Sequence, residues 1–264
     1  MERSGQRGVA NFFCPEPFLP GGHLSLSEEA AQHARALRMF PGERAGLRDG
    51  MGAAASGTIA RLTKRSLTID IEEVWDIPRP PEVHMLIPVG DRDRMLLLAE
   101  KATELAATSW RPVIWRRSKS VAGRGEGPTF IGRIRSRMIA ALTQSGGGWL
   151  PEIHPSASVS RAVAAAPAGD RVILDASARE TMLSLGIGLP LAIAIGPEGG
   201  LEDEERQEMA DAGFTPVRLA PTVLRFETAG IAALAIARAL AGASPVASIP
   251  RMEDIDSSVR EPAD

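Results

Sequence analysis

The sequence predicts an α/β protein in which a mostly parallel sheet follows a smaller β-rich unit. Three observations carry that reading. Beyond residue 82, the apolar runs VHMLIPV, RPVIW, RVILD and LPLAIAIG alternate with segments of helical period, the pattern of parallel strands joined by crossover helices. Before residue 76, short strands are separated by glycine or basic turns, and Leu67, Ile69 and Ile71 alternate onto one face. Between the two lies DIPRPPE, whose prolines suit a semi-rigid linker. The expected organisation is a compact β-barrel domain over residues 1–76, a linker over 77–82, a larger α/β domain over 83–243 and a tail over 244–264.

In chain order, Phe12-Phe13 is followed by turn signals at Pro15, Pro17 and Pro20-Gly21-Gly22. SLSEEAAQHARALRM then predicts a short helix with Ser27 as N-cap. RAGLRDG, AAASGTIARLT and SLTIDIEEV predict three strands. After the linker, VHMLIPV predicts a buried strand. Asp91 or Asp93 can cap a helix on which Met95, Leu98, Ala99, Ala102, Leu105 and Ala106 recur at helical spacing. A helix from about Thr129 to Gln144 ends at Gly146-Gly147-Gly148. RVILD and LPLAIAIG flank a poorly patterned stretch, Ala178 to Gly188. The last helix, about Glu227 to Leu240, is apolar nearly all round and stops at Gly242, as a buried helix would. The tail has proline breaks and scattered charge, the composition of a disordered end.

Composition narrows the classes. The chain has 264 residues and 44% hydrophobic content, ample for a core. No apolar run approaches the roughly 20 residues of a membrane span, and the N-terminus lacks a signal-peptide pattern, so a cytoplasmic protein without a membrane partner is expected. Cys14 is the only cysteine, and His23, His33, His84 and His154 are scattered without ligand spacing, so no metal site is expected. The net charge of −3 argues against a globally basic nucleic-acid binder. Charge is nevertheless segregated. Residues 101–140 carry nine basic and two acidic side chains, whereas residues 195–215 carry seven acids and one arginine. The basic block could neutralise phosphates, or its arginines could be solvated helix faces. Trp110, Trp115 and Trp149 could stack on bases or fill the core.

Two strand–loop–helix units dominate the C-terminal half. LPLAIAIGPEGGLEDEE breaks an apolar strand at Gly196-Pro197-Glu198-Gly199-Gly200, and VRLAPTVLRFETAG predicts a second strand, a turn at Pro221 and a helix start near Glu227-Thr228. Both loops leave strand carboxyl ends, where open α/β sheets bind ligands. The glycines leave backbone N–H and C=O groups uncovered for a flat ligand to lie against. A plain tight turn would look the same. No Gly-Lys-Ser/Thr follows and the pattern is not GxGxxG, so the common phosphate cradles are disfavoured. Glu202, Asp203, Glu204 and Glu205 would repel phosphate at the helix start, which favours a cationic or neutral head group.

IGPEGGLEDEE followed by LAPTVLRFETAGIAAL resembles the two signature loops of the RsmE family, the 16S rRNA uridine-N3 methyltransferases of the SPOUT superfamily. GDRDRMLLLAEKATELAATSWRPV, LTQSGGGWLPEI, NFFCPEP and LRMFPGERAGLRDG resemble further blocks of that family, in order along almost the whole chain. The resemblance implies a SPOUT trefoil-knot domain behind a PUA-like domain, and a homodimer that completes each site. It implies S-adenosyl-L-methionine held by Ile195, Gly196, Pro197, Glu198, Gly199, Gly200, Leu219, Ala220, Leu224, Arg225, Thr228 and Ala229. The implied substrate is 16S rRNA or the small ribosomal subunit. Uracil N3 carries a proton at neutral pH, so the reaction needs a base or a cation beside the uridine anion. Arg225, between the loops, is the candidate cation. Glu198 and Glu227 are candidate bases or orienting groups, or helix-capping carboxylates. RNA contacts are expected from Arg35, Arg38, Arg116, Arg117, Lys119 and Arg124, with Arg44, Arg48, Arg61, Lys64 and Arg65 further basic positions of the N-terminal unit.

Four positions depart from the resembled pattern. Asn11 stands where an arginine usually precedes the aromatic pair, Ala140 and Thr143 where glutamates precede QSG, and Gly147 where an arginine follows it. Other readings stay open: a SPOUT enzyme acting on another RNA base, a non-catalytic RNA-binding ribosome assembly factor, and a nucleotide-dependent enzyme using the glycine-rich turn.

Overall fold

The computed structural model describes residues 9–118 and 127–242. The first unit is a five-stranded sheet with one helix: β1 (Ala10–Phe13), β2 (His23–Leu26), α1 (Glu28–Ala36), β3 (Arg44–Arg48), β4 (Ala53–Leu62) and β5 (Leu67–Asp76). Strand order is β1-β3-β4-β5-β2, so β1 and β2 end the pairing and the barrel is open at that seam. The Ser27 hydroxyl accepts from the Ala30 N–H, the expected cap. Leu67, Ile69 and Ile71 are buried, as their alternation requires. The aromatic pair, read only as a segment before turns, is itself strand β1, and it runs parallel to β3. Gly57 sits at an irregularity of the β4–β5 hairpin, where a Cβ would stand 1.9 Å from the Asp70 carbonyl oxygen.

The second unit comprises β6 (Val83–Pro88), α2 (Arg92–Glu104), β7 (Ser109–Ile114), α3 (Pro128–Ser145), β8 (Glu152–Ile153), β9 (Ala157–Ser158), α4 (Val159–Ala164), β10 (Asp170–Leu174), β11 (Leu191–Ile195), α5 (Asp203–Asp211), β12 (Thr215–Val217) and α6 (Phe226–Leu240). The order is β12-β10-β11-β6-β7-β8, with β9 also on β7, and the pairings within this sheet are all parallel. All the strands therefore end on one edge. One face packs Met85, Ile87, Ile193 and Ile195 under α2, α3 and α6, and the other packs Leu86, Ala192 and Ala194 under α4 and α5. Burial on both faces accounts for unbroken apolar strands.

Several expectations change. Trp110 and Trp115 lie in the two cores, so neither is a stacking platform, and Trp149 donates its indole N–H to the Ile77 carbonyl (2.9 Å). Helix α6 is not buried all round: Ala235, Ala239 and Leu240 are exposed because α6 is the outer layer of its face. The second loop-bearing strand is β12, earlier than VRLAP, because its partner β10 ends opposite Val217. The predicted tail 244–264 lies outside the described residues.

The two units are stitched by backbone. Gly52 N–H donates to the Gly148 carbonyl, Leu150 N–H to Gly50, and Ile77 N–H to Gly52. The Gly146–Leu150 loop thus docks on the β3–β4 turn. Arg48, expected as an RNA contact, is 2% exposed and donates to the Gly146 and Leu47 carbonyls. Its charge is spent inside the joint.

Candidate functional site

A cavity of about 220 Å³ opens at the sheet's carboxyl edge, above β10, β11 and β12. Of the positions expected to hold a ligand, Ile195, Gly196, Pro197, Glu198, Gly200, Leu219, Ala220, Leu224 and Ala229 line it. Gly199, Arg225 and Thr228 do not. Gly199 is turned against Arg117, whose Cβ would stand 3.0 Å from an added Cβ. Arg225 is the exposed N-cap residue of α6, and Thr228 is exposed on that helix's first turn. Gly200 has φ +73°, a left-handed conformation that suits glycine, and its N–H closes the turn onto the Pro197 carbonyl at 2.9 Å.

The sequence reading missed the wall supplied by the end of β10, namely Leu174, Asp175 and Ala176, and Arg206 of α5. Asp175 ends the RVILD strand, and the carboxyl-edge rule applied to that strand would have found it. Its Oδ1 accepts from the Ser177 N–H (2.8 Å) and hydroxyl (2.6 Å), and its Oδ2 pairs with Arg206. Burial alone would raise this carboxyl's pKa, but the Ser177 donors and Arg206 outweigh it and hold the group below the ordinary aspartate range. The cavity therefore combines an apolar slot, bare loop backbone and ionised carboxylate. That fits a flat ring joined to a cationic centre and lacks the lysine that would grip a triphosphate.

Arg94, also missed although it stands in the quoted GDRDR block, links both candidate carboxylates. Its Nη1 lies 3.1 Å from Glu198 Oε1 and its Nε 3.9 Å from Glu227 Oε1. Glu198 is exposed, whereas the Glu227 side chain is 8% exposed and its Oε2 has no hydrogen-bond partner. Asp91 caps α2 by accepting from the Arg94 N–H, which fixes where that arginine starts. The side chain of Arg225 makes no hydrogen bond or ion pair among the described residues.

The charge blocks of opposite sign meet. Glu202 and Glu205 form a capping box on α5, and buried Glu205 also accepts the Arg116 N–H at 2.7 Å. Arg116 Nη1 reaches Glu202 (3.3 Å) and Glu204 (3.1 Å), and Arg117 reaches Glu202 and the Gly199 carbonyl. These two arginines, expected as RNA contacts, thus also tie the glycine-rich loop and the start of α5 to the β7 end through exposed ion pairs. Arg35 and Arg38 are exposed at the end of α1, and Arg35 donates to the Thr63 carbonyl. Lys119 and Arg124 lie outside the described residues. Among the described residues no His/Cys/Asp/Glu group could hold a metal ion, and no helix is long and apolar enough to cross a membrane.

A second, larger groove of about 540 Å³ runs between α1, β1 and α3. Three of the positions that depart from the resembled pattern, Asn11, Ala140 and Thr143, line it, and Asn11 Nδ2 donates to the Thr143 carbonyl at 3.2 Å. The departures thus fall together, with a neutral contact where charged groups were expected.

Comparison with known proteins is consistent along the chain. Residues 78–238 match the RNA methyltransferase domain family, and residues 26–72 match the RNA methyltransferase PUA domain. A ribosomal RNA small subunit methyltransferase E of Mycobacterium bovis is 30% identical over 219 residues, covering 78% of this chain and 82% of that protein. The crystal structure of a ribosomal RNA small subunit methyltransferase E from Neisseria gonorrhoeae bound to S-adenosyl methionine superposes with a TM-score of 0.80 at 27% identity, over 88% of this chain and 98% of that one. A putative methyltransferase from Legionella pneumophila, in complex with the same cofactor, gives 0.79 at 29% identity, over 88% and 97%.

Proposed function

The chain belongs to the RNA methyltransferase family matched over residues 78–238, and from that premise we propose that it transfers a methyl group from S-adenosylmethionine to N3 of a uridine in 16S rRNA. The observation that carries the reading is the cavity at the ends of three parallel strands, with bare glycine-loop backbone on one side and ionised Asp175 on the other. The cofactor supplies an electrophilic methyl group on a sulfonium. Ile195, Leu219, Leu224 and Ala229 would enclose its flat part, and the Gly196–Gly200 backbone would read the ring edge.

The protein's own task is the uridine. Methylation forms an N3–C bond, breaks a C–S bond and releases the N3 proton, so the uracil ring must pass through or near an anion. Arg225, exposed and without an ion pair among the described residues, would stabilise that charge. Glu198 stands on the cavity wall and is oriented by Arg94. Glu227, buried and 3.9 Å from Arg94 Nε, would act as an orienting group for that arginine, its burial counting against a base open to RNA. A trefoil knot would form around the carboxyl ends of β10, β11 and β12, which are neighbours in the sheet. The exposed apolar side of α6, with Ala235, Ala239 and Leu240, would meet a second copy in a homodimer acting in the cytoplasm.

The test is titration calorimetry with S-adenosylmethionine and with ATP, followed by single-turnover transfer by Arg225→Ala. Binding of the methyl donor alone, and a transfer rate at least a hundredfold lower in the variant with unchanged donor affinity, is expected. A full single-turnover rate removes Arg225 from the chemistry.

A further inference from the structure

We propose that the groove between α1, β1 and α3 is a second nucleotide subsite, which seats an unpaired base of the RNA away from the reacting uridine. The inference rests on the RNA methyltransferase reading. At about 540 Å³ the groove exceeds the cofactor cavity, and its lining has the chemistry of base recognition. Gln32, His33 and Ser136 face it with side chains that make no hydrogen bond among the described residues. An amide, an imidazole and a hydroxyl can each donate to and accept from a base edge. The His33 ring stands edge-on to buried Phe12, with centroids 5.8 Å apart, which holds one ring while the imidazole stays exposed. Phe13, half-buried, adds an aromatic wall of the kind on which unpaired RNA bases stack.

The floor is built for this shape. Asn11 bonds to the Thr143 carbonyl and lies over Gly46, where a Cβ would stand 2.2 Å from Asn11 Oδ1. A glycine there lets the amide sit low and keeps the groove open. Charge divides base from backbone. No lysine or arginine lines the groove, and Glu29 is its one carboxylate, so phosphate is excluded from the interior. At the rim the sign reverses: Arg133, one turn before Ser136 on α3, is exposed and has no partner among the described residues, and Arg38 is exposed at the end of α1. A neutral interior under a basic rim takes a base in and leaves its phosphates outside.

The helix that lines the groove also reaches the start of α2. Arg133, Ser136, Ala140 and Thr143 share one face of α3 by their spacing. The first turn of α3 packs Phe130 under Arg92, the first residue of α2, which starts just past the carboxyl end of β6. From Phe130 to Thr143 the helix rises about 20 Å, the length of a few nucleotides.

The experiment is fluorescence anisotropy with a short single-stranded RNA and with the small-subunit rRNA transcript. It compares wild type with His33→Ala/Gln32→Ala and, separately, with Ser136→Trp, which fills the groove. All three positions are exposed, and thermal melting checks that each variant stays folded. Both variants are expected to raise the RNA Kd at least fivefold, the lower end of what losing one stacked base costs, with unchanged S-adenosylmethionine affinity. RNA affinities within twofold of wild type in both variants overturn the subsite, as does a wild type that binds neither RNA. Groove-dependent RNA binding without methyl transfer keeps the subsite and sinks the proposed function. Full transfer with groove-independent affinity does the reverse.

Discussion

Gly230 tests the packing that supports the cofactor cavity. It lies on the inner side of α6, and a Cβ there would stand 2.9 Å from Ile195 Cδ1, 2.9 Å from Leu98 Cδ1 and 3.1 Å from Leu98 Cδ2. Two effects oppose each other in Gly230→Ala. Replacing glycine within a helix favours the folded state by about 1 kcal/mol. Overpacking a filled core costs about 1–3 kcal/mol. Leu98 and Ile195 are both almost fully buried, so neither methyl has open space to swing into, and the upper part of that range applies. The net expectation is a loss of about 1 kcal/mol for alanine and more than about 3 kcal/mol for valine, which adds two methyls and a β-branch. Ile195 is also a cavity wall, so its displacement should weaken S-adenosylmethionine binding several-fold. Urea unfolding and calorimetry read the two effects. An alanine variant about 1 kcal/mol more stable than wild type, with unchanged donor affinity, would refute the close approach of α6 to β11.

Three further outcomes follow from the same contacts. Burial holds the His84 and His154 imidazoles below the ordinary histidine value, so the unfolded chain takes up protons first. Stability should be full above about pH 6.5 and fall by up to about 1.4 kcal/mol per unit for each histidine below it; a flat melting temperature between pH 7.5 and 5.5 contradicts this. Asp175→Asn removes the charge that Arg206 and Ser177 hold at the cavity wall, and should weaken binding of the cationic methyl donor by about tenfold while affecting demethylated S-adenosylhomocysteine less. Equal losses for both ligands would count against a charge effect. Arg94→Ala leaves buried Glu227 without its nearest cation; because the pair is 3.9 Å apart and Arg94 is partly exposed, about 1–2 kcal/mol of stability should go, and a variant as stable as wild type rules that contact out.

Much of the α/β unit was legible because parallel strands buried on both faces, such as β6 and β11, have no polar position to confuse the pattern. Ser27, Asp91 and Gly146 marked helix ends through local chemistry, which sequence carries directly. What was missed is non-local. The two-residue strands β8 and β9 exist only because β7 is beside them. The role of Arg94 depends on the first turns of α2 and α6 and the glycine-rich loop converging from distant parts of the chain. Arg116 and Arg117 illustrate the limit of charge counting, since a basic block and an acidic block separated in sequence neutralise each other across the glycine-rich loop. Arg48 is similar: its strand position reads as solvent-facing until the Gly146–Leu150 loop is laid over it.

The most direct measurement is position-resolved mass spectrometry of small-subunit rRNA, from cells lacking the enzyme, incubated with the protein and S-adenosylmethionine. One methyl group at N3 of a single uridine, absent without the donor, is the predicted result. A methyl group on another atom or base, or none on either free rRNA or the assembled subunit, would contradict it.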